Sequence, residues 1–128
     1  MSQAEDCVFG HIVADPHSSP NWIADFPNSV AILHFNQVFR GRSTLITRNH
    51  HEDMLEIPKE EWRANNDELW RLADAIKRAL RPDRLNYANY GNVVPHQHWH
   101  VFPRFVDDPI WGGPPQPVPP VENMPETV

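Results

Sequence analysis

The chain of 128 residues contains a single cysteine, Cys7. That excludes an internal disulfide and any zinc cage built from cysteine alone. It also lacks excess positive charge: Lys and Arg total 11 against 17 Asp and Glu, a net charge of −6 with histidine neutral. A protein that coats nucleic acid needs the opposite balance to displace counterions, so no nucleic-acid partner is expected. A small phosphate ligand stays open, because a local cluster can oppose the global sign. No long apolar run is present; Val30-Ala31-Ile32-Leu33 falls far short of a membrane span. The acidic start, Met1 to Asp6, has no apolar stretch behind a basic flank. A cytoplasmic location with no membrane partner is the expectation. Neither GxGxxG nor GxxxxGK[ST] occurs, so the phosphate loops of those nucleotide-binding folds are missing, and there is no internal repeat.

Proline and histidine are abundant instead, with 14 and 8 residues. Seven of the prolines (109, 114, 115, 117, 119, 120 and 125) crowd the last twenty residues and, with Gly112 and Gly113, forbid helix and central strand there. Residues 109–128 read as an extended tail: a frayed end, or a strap anchored by Trp111. The folded domain is expected over residues 5–108.

One long helix is predicted from Pro58 to about Leu80. Pro58 suits the first helical position, Glu60 and Glu61 suit the positive end of the dipole, and Pro82 stops the helix. Trp62, Leu69, Ala73, Ile76 and Leu80 supply an apolar face, while Asp67–Arg71 and Asp74–Arg78 are i,i+4 pairs on the wet side. Strands are predicted over Ser29–Asn36, Arg42–Arg48, Leu85–Tyr90 and His98–Phe105, the last until Pro103. Cys7–Val13 reads as a short helix or turn and Asp15–Asn21 as a loop. Strands, then helix, then strands argue for an α+β domain with an antiparallel sheet.

The chemistry gathers in His96-Gln97-His98-Trp99-His100-Val101-Phe102-Pro103-Arg104. On a strand the three histidines share one face and Gln97, Trp99 and Val101 the other. A row of imidazoles packs a core poorly and suggests a polar pocket. The row could be ordinary polar residues on a wet face. It could bind metal: neighbouring same-face residues sit about 7 Å apart, although the outer pair, about 13 Å apart at the backbone, cannot easily share an ion, so a donor such as His50 or His51 would be needed. Or the central imidazole, neutral and nucleophilic near pH 7, could attack phosphorus, flanked by imidazoles that orient it or hold the substrate. Arg42, Arg48 and Arg104 are the candidate sources of positive charge.

These residues resemble the signature of histidine-triad (HIT) proteins, three spaced histidines followed by Pro-Arg. Cys7-Val8-Phe9, Ser29–Asn36 with Arg40-Gly41-Arg42-Ser43-Thr44-Leu45-Ile46, His50, the long helix and Asn86–Asn92 continue the likeness, and Trp99–Trp111 with Asp107-Asp108-Pro109 is most similar to the diadenosine tetraphosphate hydrolase-like branch. The resemblance implies an antiparallel sheet with one long and one shorter helix, continued across a homodimer. It implies cleavage at the α-phosphate of a dinucleoside polyphosphate or nucleoside phosphoramidate. His98 would be the nucleotidylated nucleophile, His100 would contact the phosphate or leaving group, and His96 would orient His98. His34, Arg42, Asn89 and Asn92 would bind substrate. No cofactor is required, with room for a divalent cation carried in by a polyphosphate. A nucleotide-binding module without catalysis and a metal-binding protein are the alternatives.

Several positions depart from the pattern. Gln97 replaces a hydrophobic residue, Arg42 a common histidine, and Val93 a serine or threonine. His34 stands where an acid or amide is common. Gly10 replaces the second cysteine of a zinc-binding pair, leaving Cys7, His50 and His96 as an alternative metal set, with His11 nearby; against it stands Cys7 as a simple buried small hydrophobe.

Overall fold

The computed structural model describes residues 7–115. Helix α1 (Val8–Ala14) leads through a single 3₁₀ turn at Pro16–Ser18 into β1 (Trp22–Asp25), β2 (Ser29–Leu33) and β3 (Ser43–Thr47). A second 3₁₀ turn, Met54–Glu56, precedes helix α2 (Lys59–Leu80), which is followed by β4 (Arg84–Ala88) and β5 (His98–Arg104). The strands form one antiparallel sheet in the order β1-β2-β3-β5-β4. This is the expected α+β architecture. No helix of the described residues is long and apolar enough to cross a membrane.

Strand β1 is an addition to the sequence reading. Four residues between Pro20 and Pro27 carry too little periodicity to announce a strand. They gain it by pairing with β2 through an irregular register between Trp22 and Ala24, a kink that also blunts this sheet edge. Strand β5 runs through Pro103. That residue lies beyond the last β3 pair, Ser43–Val101, where β5 is partnered by β4 alone.

The two faces of the sheet bury different things. Ala31, Leu45, Trp99 and Val101 pack on Leu72 and Ile76 of α2; each fully buried Leu or Ile of this kind is worth about 1.5–3 kcal/mol. On the other face Val30, Ile32 and Ile46 are covered by Phe9, Ile12 and Val13 of α1. Pro58 caps α2 from outside rather than opening it. At the far end Arg81 adopts a left-handed φ of 51° and its N–H bonds the Lys77 carbonyl, the residue before Pro82 being barred from continuing the helix. Leu72 joins Leu69, Ile76 and Leu80 on the helix's inner face, while Trp62 lies outside that core. Inward-facing Asn65 and Glu68 are buried as well, which apolar periodicity could not reveal. Both expected surface pairs form, Arg71–Asp67 at 3.7 Å and Arg78–Asp74 at 3.2 Å.

Two polar fixtures hold the layers. Glu68 accepts from Ser29 Oγ (2.5 Å) and from Asn28 N (3.1 Å) and Nδ2 (3.3 Å), tying α2 to the start of β2. Arg104 is buried, so it offers its charge to the fold and not to a ligand. It pairs with Asp108 at 2.6 Å, donates to Asn86 Oδ1 (2.7 Å), Ile110 O (2.7 Å) and Gly113 O (3.0 Å), and lies 5.1 Å from the Phe39 ring centroid. That bond holds the Asp108 carboxyl below the usual carboxylate range. The first part of the proline-rich tail therefore folds back on β5; residues 116–128 lie outside the described residues. Replacing Glu68 with alanine strands a buried hydroxyl and a backbone N–H. Urea denaturation should show a loss of about 2–4 kcal/mol; a change under about 0.5 kcal/mol would mean the carboxylate does not hold the layers.

Candidate active site

Alternation along β5 sets the site. His98 and His100 emerge on the α1 face, cross-strand from Ile46 and Thr44 of β3, while Trp99 and Val101 point to α2. His96 precedes the strand and is fully buried. The hairpin between β2 and β3 brings two further residues beside them. Its mouth closes through His34 N to Arg42 O (2.9 Å), and Gln37 Nε2 donates to both His34 O (2.7 Å) and Arg42 O (2.8 Å). Gly41 turns the chain at φ 89°, where an added Cβ would stand 2.2 Å from Leu80 and 3.0 Å from Pro103. Arg42 is thereby delivered into the site.

Each imidazole is held by a group with one hydrogen-bonding role, which fixes where its proton sits. His98 Nδ1 donates to its neighbour's carbonyl, His96 O, at 2.6 Å. Its Nε2 is left with a free lone pair, and the ring rests edge-on to Phe9 at 4.7 Å. His96 Nε2 donates to Thr47 O at 2.7 Å, turning Nδ1 toward Cys7 Sγ (3.4 Å) and His50 Nδ1 (3.1 Å). His100 Nδ1 receives a guanidinium N–H of Arg42 at 3.2 Å. His34 Nδ1 accepts from Asn36 N at 2.9 Å, and its ring meets that of His100 edge-on at 5.6 Å.

Burial, helped by the Arg42 charge, pulls His34 down to about 4 and His100 to about 3. Burial also lowers His96 and His98, with the carbonyl bonds of each working in the opposite direction. Arg42 is itself lowered by burial to about 10, high enough to keep its charge. The arrangement is a neutral nucleophile, a neutral donor and one buried cation, which suits attack on an electrophilic phosphorus.

The sequence-predicted residues divide. His34, Arg42, His96, His98 and His100 are gathered in one place. Asn89 is exposed and donates to Gln97 Oε1 at 3.1 Å, while Gln97 Nε2 reaches Glu52 O at 3.2 Å; the unusual Gln97 thus pins the loop before the triad. Asn92 is exposed in that loop with no side-chain partner among the described residues. Arg48 donates to Phe26 O at 2.7 Å. Phe9, Phe35 and Tyr90 are the members the sequence did not single out. Phe35 stacks on His34 at 4.5 Å and Tyr90 lies 6.1 Å from His100, both rings otherwise exposed. Only the spacing of Phe9, Ile12 and Val13 on α1 carried a signal.

Behind the triad, Cys7 Sγ and a ring nitrogen of His50 and of His96 lie within 4.8 Å of one another. Thiol and imidazole suit zinc, but with Gly10 in place of a second cysteine the set is one donor short of a closed tetrahedral site.

The HIT domain family matches residues 16–107. "Protein hit" of Bacillus subtilis is 30% identical over 110 residues, covering 82% of this chain and 75% of that protein. "Adenylylsulfatase HINT3" of Arabidopsis thaliana is 28% identical over 111 residues, 83% of this chain and 56% of that protein. Among solved structures, a HIT family member from Bacillus subtilis superposes with a TM-score of 0.75 at 26% identity, over 87% of this chain and 82% of that one.

Depressed imidazoles make stability depend on pH. Below about 6.5 the unfolded chain binds protons that His34 and His100 refuse until about pH 4 and 3. Their contribution is complete above 6.5 and is lost as pH falls from there toward 3. The thermal midpoint should fall steadily between about pH 6.5 and 4, with a shallower slope in His100→Asn. Equal slopes in the two proteins would contradict the assignment.

Proposed function

Because the chain belongs to the HIT domain family, a family membership that supports a nucleotide-binding, hydrolase-type function, we propose that it cleaves a nucleotide conjugate at the α-phosphate through a nucleotidyl intermediate on His98. The observation that carries this reading is the bond from His98 Nδ1–H to His96 O at 2.6 Å. It leaves Nε2 unprotonated and aimed away from its own strand, as a nucleophile requires. His96, bonded to Thr47 O, fixes the carbonyl that fixes His98. His100 presents an N–H to the phosphate. The exposed rings of Phe35 and Tyr90 beside the triad offer faces on which a base can stack. Dinucleoside polyphosphates, phosphoramidates and, from the name of the Arabidopsis relative, adenylyl sulfate are the substrates to try. A divalent cation would enter with a polyphosphate and not as a resident group.

A homodimer belongs to the same reading. Among the described residues strand β4 is an unpaired sheet edge, flanked by a groove of Leu69, Trp70, Ala73, Leu85 and Tyr87 in which Trp70 is 67% and Tyr87 53% exposed. An edge with apolar neighbours is a template for a second copy. Sedimentation should report a dimer that Trp70→Glu converts to monomer; a wild-type monomer at micromolar concentration would remove this part.

The metal-binding alternative rests on Cys7, His50 and His96. Near-stoichiometric zinc in untagged protein, with unfolding on chelation, would favour it.

His98→Ala is the decisive variant. Turnover should fall by several orders of magnitude while AMP binding by calorimetry is retained, and intact-mass analysis of wild type should trap one nucleoside monophosphate. Full activity in His98→Ala would end the mechanism. AMP binding without turnover of any of these substrates would favour the non-catalytic binding module.

A further inference from the structure

Arg42 does something a row of histidines does not itself require. It is more than nine-tenths buried, its guanidinium carbon lies 4.6 Å from the Phe102 ring centroid, and its Nε is sealed without a partner among the described residues. It is spent inside the protein, on His100 Nδ1 at 3.2 Å. A guanidinium has only N–H donors, so His100 Nδ1 must offer its lone pair and the single ring proton sits on Nε2. A doubly protonated His100 would set N–H against N–H and cation against cation. Among the described residues, the titratable groups facing His100 are Arg42 just before β3, His34 after β2, His98 on β5 and Tyr90 in the loop after β4. None is a carboxylate that could favour an imidazolium.

Resting on the nucleotidyl-transfer reading above, we infer that Arg42 is a positioning residue that locks His100 as a neutral donor, so that the site serves leaving groups departing as phosphate- or sulfate-type oxyanions and serves amine leaving groups poorly. The step balances without an acid. The His98 Nε2 lone pair forms the N–P bond, the P–O bond breaks, and its electron pair leaves on the oxyanion. His100 Nε2–H hydrogen-bonds that oxygen and keeps its proton. Water then forms a new O–P bond, one of its protons passes to solvent, and the N–P bond breaks to restore the lone pair. An amine must instead gain a proton as its P–N bond breaks, and a neutral imidazole beside Arg42 does not yield one. Burial first, and the Arg42 charge after it, gives His100 a low proton affinity.

The test compares kcat/KM of the full-length chain on diadenosine tetraphosphate and on an alkylamine adenosine 5′-phosphoramidate. Alongside, ¹⁵N spectra report the His100 ring, assigned with His100→Asn. Wild type should prefer the tetraphosphate by about 100-fold or more, the usual size of a missing general acid, and should show a neutral Nε2–H ring. In Arg42→Met the His100 ring should take up a proton nearer the ordinary histidine pH and the preference should shrink about tenfold at acid pH; Arg42→Lys, which keeps a cationic donor, should hold the neutral ring. Similar wild-type rates on both substrates, or a wild-type His100 protonated at Nδ1, would overturn the inference. If Arg42→Met misfolds, the wild-type preference and ring tautomer together with the His100 ring of Arg42→Lys remain as the deciding measurements. Cleavage of neither substrate with no His98 adduct would instead sink the nucleotidyl-transfer reading and the leaving-group inference with it.

Discussion

The structure depends on the two-residue alternation of β5. This strand is hydrogen-bonded along both edges, to β3 and to β4, and every one of its residues is buried, so neither face meets open water. Trp99 and Val101 on one side and His98 and His100 on the other must each be covered. The apolar side is met by α2 through Leu72 and Ile76. The imidazole side cannot be sealed with hydrocarbon without a large desolvation penalty. Only a short helix, α1, covers part of it, and the β2–β3 hairpin brings polar partners to the rest. A slip of one residue in the β3–β5 register would exchange the two faces and lose both.

Burying imidazoles is tolerable because every one has a partner with a fixed role. Carbonyls of Thr47 and His96 can only accept, the amide of Asn36 can only donate, and Arg42 can only donate. The fold thus writes a proton pattern onto the site before any substrate arrives: His98 open at Nε2, His96 closed at Nε2, His100 carrying its proton at Nε2. Preorganisation of this kind costs stability at acid pH and saves reorganisation during reaction.

Much of this was legible in the sequence, for physical reasons that vary by element. Three histidines at spacing two declare the strand and its polar face, although that face is buried and His96 stands just before the strand. The helix was legible because its ends carry Pro58 and Pro82, although Pro58 proved to be the cap. What stayed hidden depends on tertiary partners. Strand β1 is a strand because β2 offers it hydrogen bonds. Glu68 and Asn65 look like surface residues until Ser29 and Asn28 come within reach. Arg42, Arg48 and Arg104 are alike in sequence, yet one bonds an imidazole, one a backbone carbonyl and one an aspartate. Asn89 has the chemistry of a ligand contact and holds Gln97.

The electrostatics show why the net charge of −6 was a poor guide to this site. Surface acids are screened by water and salt over about 10 Å. Arg42 is buried against a ring face and an imidazole lone pair, where the effective dielectric is lower and its field reaches His34, His98 and His100 with less screening. One such cation outweighs many distant carboxylates in the field at the triad. With Nε sealed and an N–H spent on His100, it acts on the site through that imidazole.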